Sequence, residues 1–254
     1  KCFYCIHTRP SLCEEYTELI WDGYLMDGTT RMSIDGKLLY HYCALSCLSE
    51  YAVVPEASCV KMPNEIPDDV AALIGCAVTT GVGSALNTVQ ISKDDTVAVL
   101  GAGGVGLSTI MGAAYAGASQ IISIDIVPEK EIVARNVGAT DFLLSDQDTI
   151  KQIKSITNNR GVDYAFEAVG IPRLQELAFE IVRPGGTLVL SGITPMGSET
   201  NFSGAVLTRQ EKTVKGSYYG TSDTSRDFRN YANLFLAGEL PIDKMISRSY
   251  DLDQ

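Results

Sequence analysis

Short apolar runs alternate with longer amphipathic segments from about residue 80 to about residue 218. The apolar runs predict strands at 96–100, 120–125, 141–144, 162–167 and 185–190. The intervening segments predict helices at 80–89, 106–118, 130–138, 150–157 and 174–182. Strands that alternate with helices are typical of a parallel sheet with helices on both faces. The almost continuous apolar character of these strands indicates that the sheet is buried on both sides.

The two ends of the chain have a different pattern. Before residue 75, short apolar runs are interrupted by Asp-Gly pairs, which are turn signals. The elements predicted there are strands at 38–42 and 50–54 and a helix at 67–75. After residue 218, one apolar helix face is predicted by Phe228, Tyr231, Ala232 and Phe235. The chain is therefore expected to comprise three segments, at 1–78, 79–218 and 219–254.

Composition narrows the class of protein. The 254 residues include 20 basic and 31 acidic side chains, which gives a formal charge of −11. Nucleic acids and anionic membranes bind clustered Lys and Arg, so neither is an expected partner. Residues 96–124 contain no charged side chain. Six glycines interrupt this stretch, which favours a buried strand–turn–helix–strand over a membrane span. No signal peptide opens the chain, and we expect a cytoplasmic protein.

A glycine-rich motif joins the first two predicted strands. Gly101, Gly103 and Gly106 form the pattern G-x-G-x-x-G between a strand and a helix, and Asp125 ends the next strand 19 residues after Gly106. In this context the first glycine allows a tight turn, the second lets a pyrophosphate approach the backbone, and the third lets the helix pack on the strand. Asp125 can accept hydrogen bonds from ribose hydroxyls, and residues 126–129 offer no arginine for a 2′-phosphate. The motif predicts a dinucleotide site that prefers NAD to NADP.

Three cysteines lie close together at the start of the chain. Cys2, Cys5 and Cys13 have the spacing C-x2-C-x7-C, which allows their thiolates to converge on one zinc ion. Clustered cysteines in a chain of this kind more often bind metal than form disulfides. Three unrelated thiols remain an alternative. A fourth ligand at C-x2-C spacing would fall just before Lys1, and His7 is a less natural candidate.

The other cysteines carry no motif. From composition alone, Cys76 is expected to be a buried structural thiol, although it directly precedes the nucleotide-binding unit. The same structural interpretation applies to Cys43, Cys47 and Cys59, and His41 is expected to be a buried, hydrogen-bonded histidine.

Together these motifs resemble the zinc-dependent medium-chain alcohol dehydrogenases over nearly the whole chain. The family pattern C-x2-C-x2-C-x7-C matches Cys2, Cys5 and Cys13 without its first cysteine. Further matching segments are 27–31, 41–42, 49–51, 74–76, 79–81, 101–106, Asp125, 136–140, 161–170 and 215–217. The resemblance implies an α/β fold with a doubly wound parallel-sheet (Rossmann) domain at 79–218. It also implies part of a GroES-like, β-rich catalytic domain at 1–78 and 219–254.

The resemblance also implies roles for individual residues. Cys76 would be a catalytic residue and one ligand of a catalytic zinc, while the three clustered cysteines would hold a structural zinc. Dinucleotide-binding roles are implied for Thr80 and Val105 at the nicotinamide, Gly101, Gly103 and Gly106 at the pyrophosphate, Asp125 and Lys130 at the adenosine ribose, and Gly170 near the nicotinamide-side ribose. The family's other two catalytic-zinc ligands, a Cys and a His, come from a part that this chain does not contain.

The implied activity is the reversible, zinc-dependent oxidation of an alcohol to an aldehyde or ketone with NAD as hydride acceptor. The chain as given is expected to be inactive, because the catalytic zinc would lack ligands. A zinc-independent reductase and a non-catalytic dinucleotide-binding protein remain alternatives. A homodimer or homotetramer joined through the nucleotide-binding domains is implied, with a small alcohol or carbonyl compound as the substrate.

Overall fold

The computed structural model describes residues 2–19 and 21–251. Within these residues the strands are β1 (Met32–Ile34), β2 (Lys37–Leu39), β3 (Thr96–Leu100), β4 (Gln120–Asp125), β5 (Asp141–Leu144), β6 (Val162–Glu167), β7 (Val182–Leu190) and β8 (Thr213–Gly216). Strands β3 to β8 form one parallel sheet in the order β5-β4-β3-β6-β7-β8. The predicted α/β class, with a doubly wound parallel sheet, is confirmed.

The helices surround this sheet and precede it. They are α1 (Phe3–Ile6), α2 (Glu14–Leu19), α3 (Asp68–Leu73), α4 (Thr79–Gly83), α5 (Gly104–Ala116), α6 (Lys130–Asn136), α7 (Thr149–Ile156), α8 (Pro172–Ile181), α9 (Gly204–Arg209) and α10 (Thr224–Leu236). Single 3-10 turns lie at Pro10–Leu12, Glu56–Ser58, Tyr219–Thr221 and Ile242–Met245. One π-helical turn, Ile74–Val78, joins α3 to α4, and a second, Ser84–Thr88, continues the helix after α4.

The predicted strands and helices of the α/β unit agree closely with the structure. One difference is that α5 begins at Gly104, two residues before the expected start at Gly106. Gly103 is therefore the residue that caps the N-terminus of the helix, and Gly106 lies inside its first turn. Its end at Gly117 is a left-handed residue with φ 88°, a conformation that glycine adopts without the steric cost of a side chain.

The sheet is buried between two apolar layers. All five residues of β3 are buried, and they alternate between the layers. Val97 and Val99 pack with α5 and the helix before it, whereas Ala98 and Leu100 pack with α7 and α8. Because successive side chains of a strand point to opposite faces, a strand covered on both sides must be apolar throughout.

The β-rich segment that precedes the sheet is small among the described residues. Strands β1 and β2 form an antiparallel hairpin, with the turn residues Asp35 and Gly36 at positive φ. The strand predicted at 38–42 is present only to Leu39, and the strand predicted at 50–54 is wrong. Tyr51 and Val53 are largely exposed, and no described strand pairs with this segment. An apolar run forms a strand only where another strand completes its backbone hydrogen bonds.

Residues Asp68–Thr88 form 21 consecutive helical residues that are apolar enough to cross a membrane by length and composition. Half of the most apolar window is buried inside the protein, and core helices of folded domains pass the same test. The side chains of Val70, Ile74, Val78 and Val82 enter the core beside the sheet. This helix runs through the predicted domain boundary at 78–79, and the three domain limits stay predictions.

The order of the strands creates a crevice at the carboxyl edge of the sheet. The chain moves from β3 outward to β4 and β5, then returns to the other side of β3 to form β6, β7 and β8. Ligands of such sheets bind outside the carboxyl ends of the strands where the order reverses. The ends of β3, β4 and β6 therefore mark the candidate site.

Candidate functional site

Each of the three motif glycines has a separate structural reason. Gly101 has φ 97°, and a Cβ atom there would lie 2.4 Å from Cγ2 of Val169. A Cβ atom on Gly106 would lie 1.7 Å from the carbonyl oxygen of Gly101. At Gly103, by contrast, a Cβ atom would meet no atom within 4 Å. The loop is therefore tightly packed at Gly101 and Gly106 and open at Gly103. At Gly103 a phosphate can approach the backbone and the N-terminus of α5.

Asp125, at the end of β4, is hydrogen-bonded to the glycine loop. Its Oδ2 atom accepts from the backbone N–H of Ala102 at 2.6 Å, and Oδ1 accepts from the N–H of Val127 at 3.0 Å. A carboxylate has about four acceptor positions, so acceptor capacity remains for a ribose diol. Lys130 begins α6 directly after this loop. The structure thus brings the predicted acidic residue to the predicted glycine motif.

Thr80 and Val105 are brought together by the crossing of α4 and α5. Gly81, the residue after Thr80, packs against the other helix: a Cβ atom on Gly81 would be 2.3 Å from the carbonyl oxygen of Val105. Thr80 is buried and Val105 is partly exposed. The same crossing places Ala77 against Gly104, with 3.2 Å between the Ala77 Cβ and a Cβ atom built on Gly104. The residue after Cys76 therefore contacts the start of the nucleotide-binding helix.

Gly170 lies at the same edge, after β6. It has φ 87°, and a Cβ atom there would be 2.3 Å from the carbonyl oxygen of Ile193 in the loop after β7. Only glycine fits both this conformation and this close approach. The predicted residues Thr80, Gly101, Gly103, Val105, Gly106, Asp125, Lys130 and Gly170 all belong to segments around one crevice.

Cys76 is exposed, in contrast to the buried thiol that composition alone favours. It lies in the π-helical turn Ile74–Val78, and such turns occur often at functional sites. Among the described residues Cys76 belongs to no group of three or more side chains that could hold a metal ion. One thiolate does not make a catalytic zinc site, so these residues do not complete that site by themselves.

The surroundings of Cys76 include a thiol and a tyrosine whose importance the sequence pattern did not reveal. Burial raises the pKa of the Cys43 thiol, and the nearby Cys76 thiol adds to the rise. Burial also raises the pKa of Tyr219, again with a contribution from Cys76. The Tyr219 hydroxyl donates a hydrogen bond to the carbonyl oxygen of Gly75. Cys43 is 33 positions away from Cys76 and no local motif links the two.

Tyr219 is held in an unusual backbone turn. Tyr219, Gly220 and Thr221 have successive φ values of 53°, 64° and 53°. The turn presses on α4, because a Cβ atom on Gly220 would lie 2.1 Å from the carbonyl oxygen of Thr79. The Thr221 hydroxyl is hydrogen-bonded to that of Thr88 at 2.8 Å. Left-handed non-glycine residues cost energy and persist only where the surrounding contacts fix them.

The three clustered cysteines converge as their spacing predicts. The Sγ atoms of Cys2, Cys5 and Cys13 lie within 4.8 Å of one another. Zinc–sulfur bonds of about 2.3 Å at tetrahedral angles place two sulfurs about 3.8 Å apart, so the group fits three corners of a zinc site. His7 is not part of the group, and its Nδ1 atom lies 2.8 Å from the carbonyl oxygen of Phe3.

The pKa values of the thiols also fit a cation site. Hydrogen bonds from the backbone N–H groups of Glu14 and Cys5 lower the pKa of Cys2 to about 7. Burial, together with the neighbouring sulfurs of Cys13 and Cys2, raises the pKa of Cys5 to about 11. Thiols this close cannot all ionise cheaply without a positive charge among them. Zinc supplies that charge and keeps thiolates deprotonated.

His41 is buried, as predicted, and its Nδ1 atom lies 2.8 Å from the Ser46 hydroxyl. Its Nε2 atom has no partner within the described part of the chain. Cys47 and Cys59 are exposed, which is wrong for the buried thiols expected at these positions. Both lie in irregular segments that pack little against the core.

Comparison with known proteins gives the family. The family model of zinc-binding dehydrogenases matches residues 104–237. Alcohol dehydrogenase class-3 of Myxine glutinosa is 35% identical over 256 residues, which cover all of this chain and 68% of the relative. A solved alcohol dehydrogenase zinc-binding domain protein of Burkholderia ambifaria superposes with a TM-score of 0.92 at 31% identity, covering 100% of this chain and 69% of that one.

A solved zinc-binding dehydrogenase of Sinorhizobium meliloti 1021, bound to NADP, has a TM-score of 0.77 at 25% identity and covers 98% of this chain and 66% of its own. The site geometry agrees with these matches, because the matched region includes α5, the end of β4 and the end of β6. The chain therefore belongs to the zinc-binding dehydrogenases, a family of oxidoreductases, and within it to the medium-chain alcohol dehydrogenases.

Proposed function

We propose that this protein is an NAD-dependent, zinc-type alcohol dehydrogenase that interconverts an alcohol with its aldehyde or ketone. The observation that carries the proposal is the contact between Asp125 and the glycine loop, together with the open space at Gly103. These two features supply a place for a pyrophosphate and an acceptor for the ribose beside it. The cofactor carries the hydride chemistry, and the protein supplies position and electrostatics.

The preference for NAD rests on charge. The Asp125 carboxylate is fixed by two backbone N–H groups at the point where the adenosine ribose of a dinucleotide lies. A 2′-phosphate at that ribose would place two negative groups side by side, and residues 126–129 contain no arginine to accept the phosphate. Although a solved relative binds NADP, this carboxylate favours the cofactor without the phosphate.

Other residues of the site bind and orient the cofactor. In this proposal the backbone N–H groups at Gly103 and Gly104 bind the pyrophosphate. Thr80 and Val105, which lie near the crossing of α4 and α5, are proposed to contact the nicotinamide. Lys130 reaches the adenosine ribose, and Gly170 lies at the nicotinamide-side ribose. Exclusion of water from the contact of Thr80 and Val105 with the nicotinamide ring would favour hydride transfer over side reactions.

Cys76 is proposed as one protein ligand of the catalytic zinc. When bound, such a zinc acts as a Lewis acid that lowers the pKa of the alcohol oxygen. Among the described residues, no group of three or more potential zinc ligands includes Cys76. The 254-residue chain alone is therefore proposed to bind NAD without oxidising alcohols. Cys2, Cys5 and Cys13 are proposed to hold a separate structural zinc.

The proposed partners are a small alcohol or carbonyl substrate and further copies of the same chain. Strand β8 is an outer strand of the six-stranded sheet, so its outer backbone groups are not used by another strand of that sheet. An unpaired edge is a template for pairing with a second sheet. This edge supports the proposed homodimer or homotetramer joined through the nucleotide-binding domains.

One titration tests the cofactor assignment. NADH and NADPH are added separately to the 254-residue chain, and the fluorescence of the nicotinamide is followed. We expect saturable binding of NADH and at least about tenfold weaker binding of NADPH, since one charge conflict contributes roughly 1.4 kcal/mol. Equal affinities, or tighter NADPH, would contradict the NAD assignment. Alcohol-dependent formation of NADH by this chain would contradict its proposed inactivity.

A further inference from the structure

Glu167 ends β6 with a fully buried carboxyl group that the proposed function does not use. Its Oε1 atom accepts two backbone hydrogen bonds, from the N–H of Val169 at 2.9 Å and from the N–H of Gly170 at 2.8 Å. Its Oε2 atom lies 3.4 Å from Nε2 of Gln175 in α8. Among the described residues it forms no ion pair. An apolar residue here would leave two backbone N–H groups without an acceptor.

The backbone of Glu167 binds a second loop. Its carbonyl oxygen accepts hydrogen bonds from the N–H groups of Ser191 and Gly192, both at 2.9 Å. Gly192 is packed so closely that a Cβ atom there would lie 2.7 Å from Oε2 of Glu167 and 2.1 Å from the backbone nitrogen of Gly170. The loops after β6 and β7 are therefore pressed together around one residue.

A third loop depends on the same arrangement. The side chain of Val169 covers Gly101, the first glycine of the phosphate-binding motif. The N–H of Ala168 donates a hydrogen bond to the carbonyl oxygen of Leu100 at 3.0 Å, directly before that motif. The N–H of Val169 in turn donates a hydrogen bond to the Glu167 carboxyl group. Glu167 thus links the glycine loop to the two loops that form the other side of the crevice.

We propose that Glu167 is a positioning residue for the dinucleotide: it shapes the backbone at Gly170 and Ile193 that receives the ribose next to the nicotinamide. The inference rests on the proposed function, because it assigns a ligand to this crevice. Glu167 touches no part of the ligand itself. Glu167 acts through the backbone of Val169, Gly170 and Gly192. It should affect binding of the nicotinamide half of the cofactor rather than binding of the adenosine half at Asp125.

Two variants of the 254-residue chain separate the effect of the length of the Glu167 side chain from the effect of its charge. Glu167→Asp keeps the carboxyl group but withdraws it from the N–H groups of Val169 and Gly170. Glu167→Gln keeps the length and the accepting Oε1 atom, and it replaces only Oε2 by an NH2 group that faces the Gln175 amide. Asp163→Asn is the matched control, since Asp163 is a buried carboxyl group at the opposite end of the same strand.

Affinities for NADH and for AMP are measured for each variant by fluorescence and calorimetry, beside the melting temperature. We expect Glu167→Asp to weaken NADH binding about tenfold, as for loss of roughly one backbone hydrogen bond to a carboxyl group. Glu167→Gln should weaken NADH binding about threefold, because the accepting oxygen loses its charge and the new NH2 group faces the Gln175 amide. The affinity for AMP should be unchanged in both variants. Asp163→Asn should lower the melting temperature and leave both affinities unchanged.

An unchanged NADH affinity in Glu167→Asp would overturn the inference, and so would equal weakening of NADH and AMP, which indicates a merely structural role. If Glu167→Asp does not fold, Glu167→Gln decides, and wild-type NADH affinity in that variant would overturn the inference. If the unmodified chain binds neither NADH nor AMP, the proposed function itself fails and this inference fails with it.

Discussion

The Oδ2 atom of Asp125 accepts a hydrogen bond from the backbone N–H of Ala102 at 2.6 Å, which joins the end of β4 to the glycine loop after β3. The same carboxylate is bonded to Val127, the second residue after it. One side chain therefore shapes the phosphate-binding loop and presents acceptors at the position of a ribose. Changes at Asp125 should affect both the affinity for a dinucleotide and the choice between its two forms.

Asp125→Asn tests the choice of cofactor. The amide loses the charge that repels a 2′-phosphate and one of the acceptors for a ribose hydroxyl, so NADH should bind about tenfold more weakly. The affinity for NADPH should fall less than the affinity for NADH, so the ratio of the two dissociation constants should approach one. Fluorescence titration measures both. Asp141→Asn, at the opposite end of the neighbouring strand β5, should leave the ratio unchanged. An unaltered ratio in Asp125→Asn would contradict the assigned role.

Alanine substitutions at two motif glycines should separate binding from folding. Gly106→Ala places a Cβ atom 1.7 Å from the Gly101 carbonyl oxygen, and overpacking of this kind costs about 1–3 kcal/mol. Its melting temperature should fall by at least about 3 °C. Gly103→Ala meets no atom within 4 Å and should melt like the unmodified protein while binding NADH more weakly. The hypothesis fails if Gly103→Ala binds NADH normally.

Zinc content tests the cysteine group. The chain purified with zinc should contain about one ion, since three convergent thiolates occupy three corners of a tetrahedral site and water can occupy the fourth. Cys5→Ser should lose the ion and melt at a lower temperature. Cys59→Ser is the matched control because Cys59 is exposed and lies outside the group. Retention of zinc by Cys5→Ser, measured by elemental analysis, would exclude this site.

Asp163 makes stability depend on pH. Burial raises the pKa of this carboxyl group, but hydrogen bonds from the Thr96 N–H, Arg183 and Arg160 lower it further, so the net shift is downward. A carboxyl group with a lowered pKa in the folded state stabilises the fold above its ordinary value near 3.8. That contribution is lost as the pH falls through the lower folded value.

Urea unfolding of Asp163→Asn across this range checks the expectation. At pH 7 the variant should be less stable by about 2 kcal/mol, the typical contribution of hydrogen bonds to a buried charge. The difference should shrink as the pH falls below about 4. Asp148→Asn breaks an exposed pair with Lys151 and should change stability by less than about 0.5 kcal/mol. A difference at Asp163 that stays constant down to pH 2 would refute the linkage.

Local sequence patterns were sufficient to predict most strands and helices of the α/β unit. The apolar runs at 96–100, 120–125 and 141–144 coincide with β3, β4 and β5, because strands covered on both faces must be apolar along their length. In the first segment, at 1–78, apolar runs are weaker evidence for strands. The run at 50–54 has the pattern of a strand and forms none, since a strand also needs a partner for its backbone groups.

The candidate site also contains features that the sequence predicts and features that only the structure shows. The sequence by itself determined the glycine loop and Asp125, because a turn, a close approach and a short loop impose fixed spacing on residues that are near in the chain. Only the tertiary structure decided that Cys43 comes near enough to Cys76 for the two thiols to interact electrostatically, and that Glu167 joins the loops of Gly170 and Gly192 beside Gly101. These contacts join residues from different strands and loops. Their distances follow from the strand order and from how closely the loops pack, and no local pattern of residues encodes either quantity.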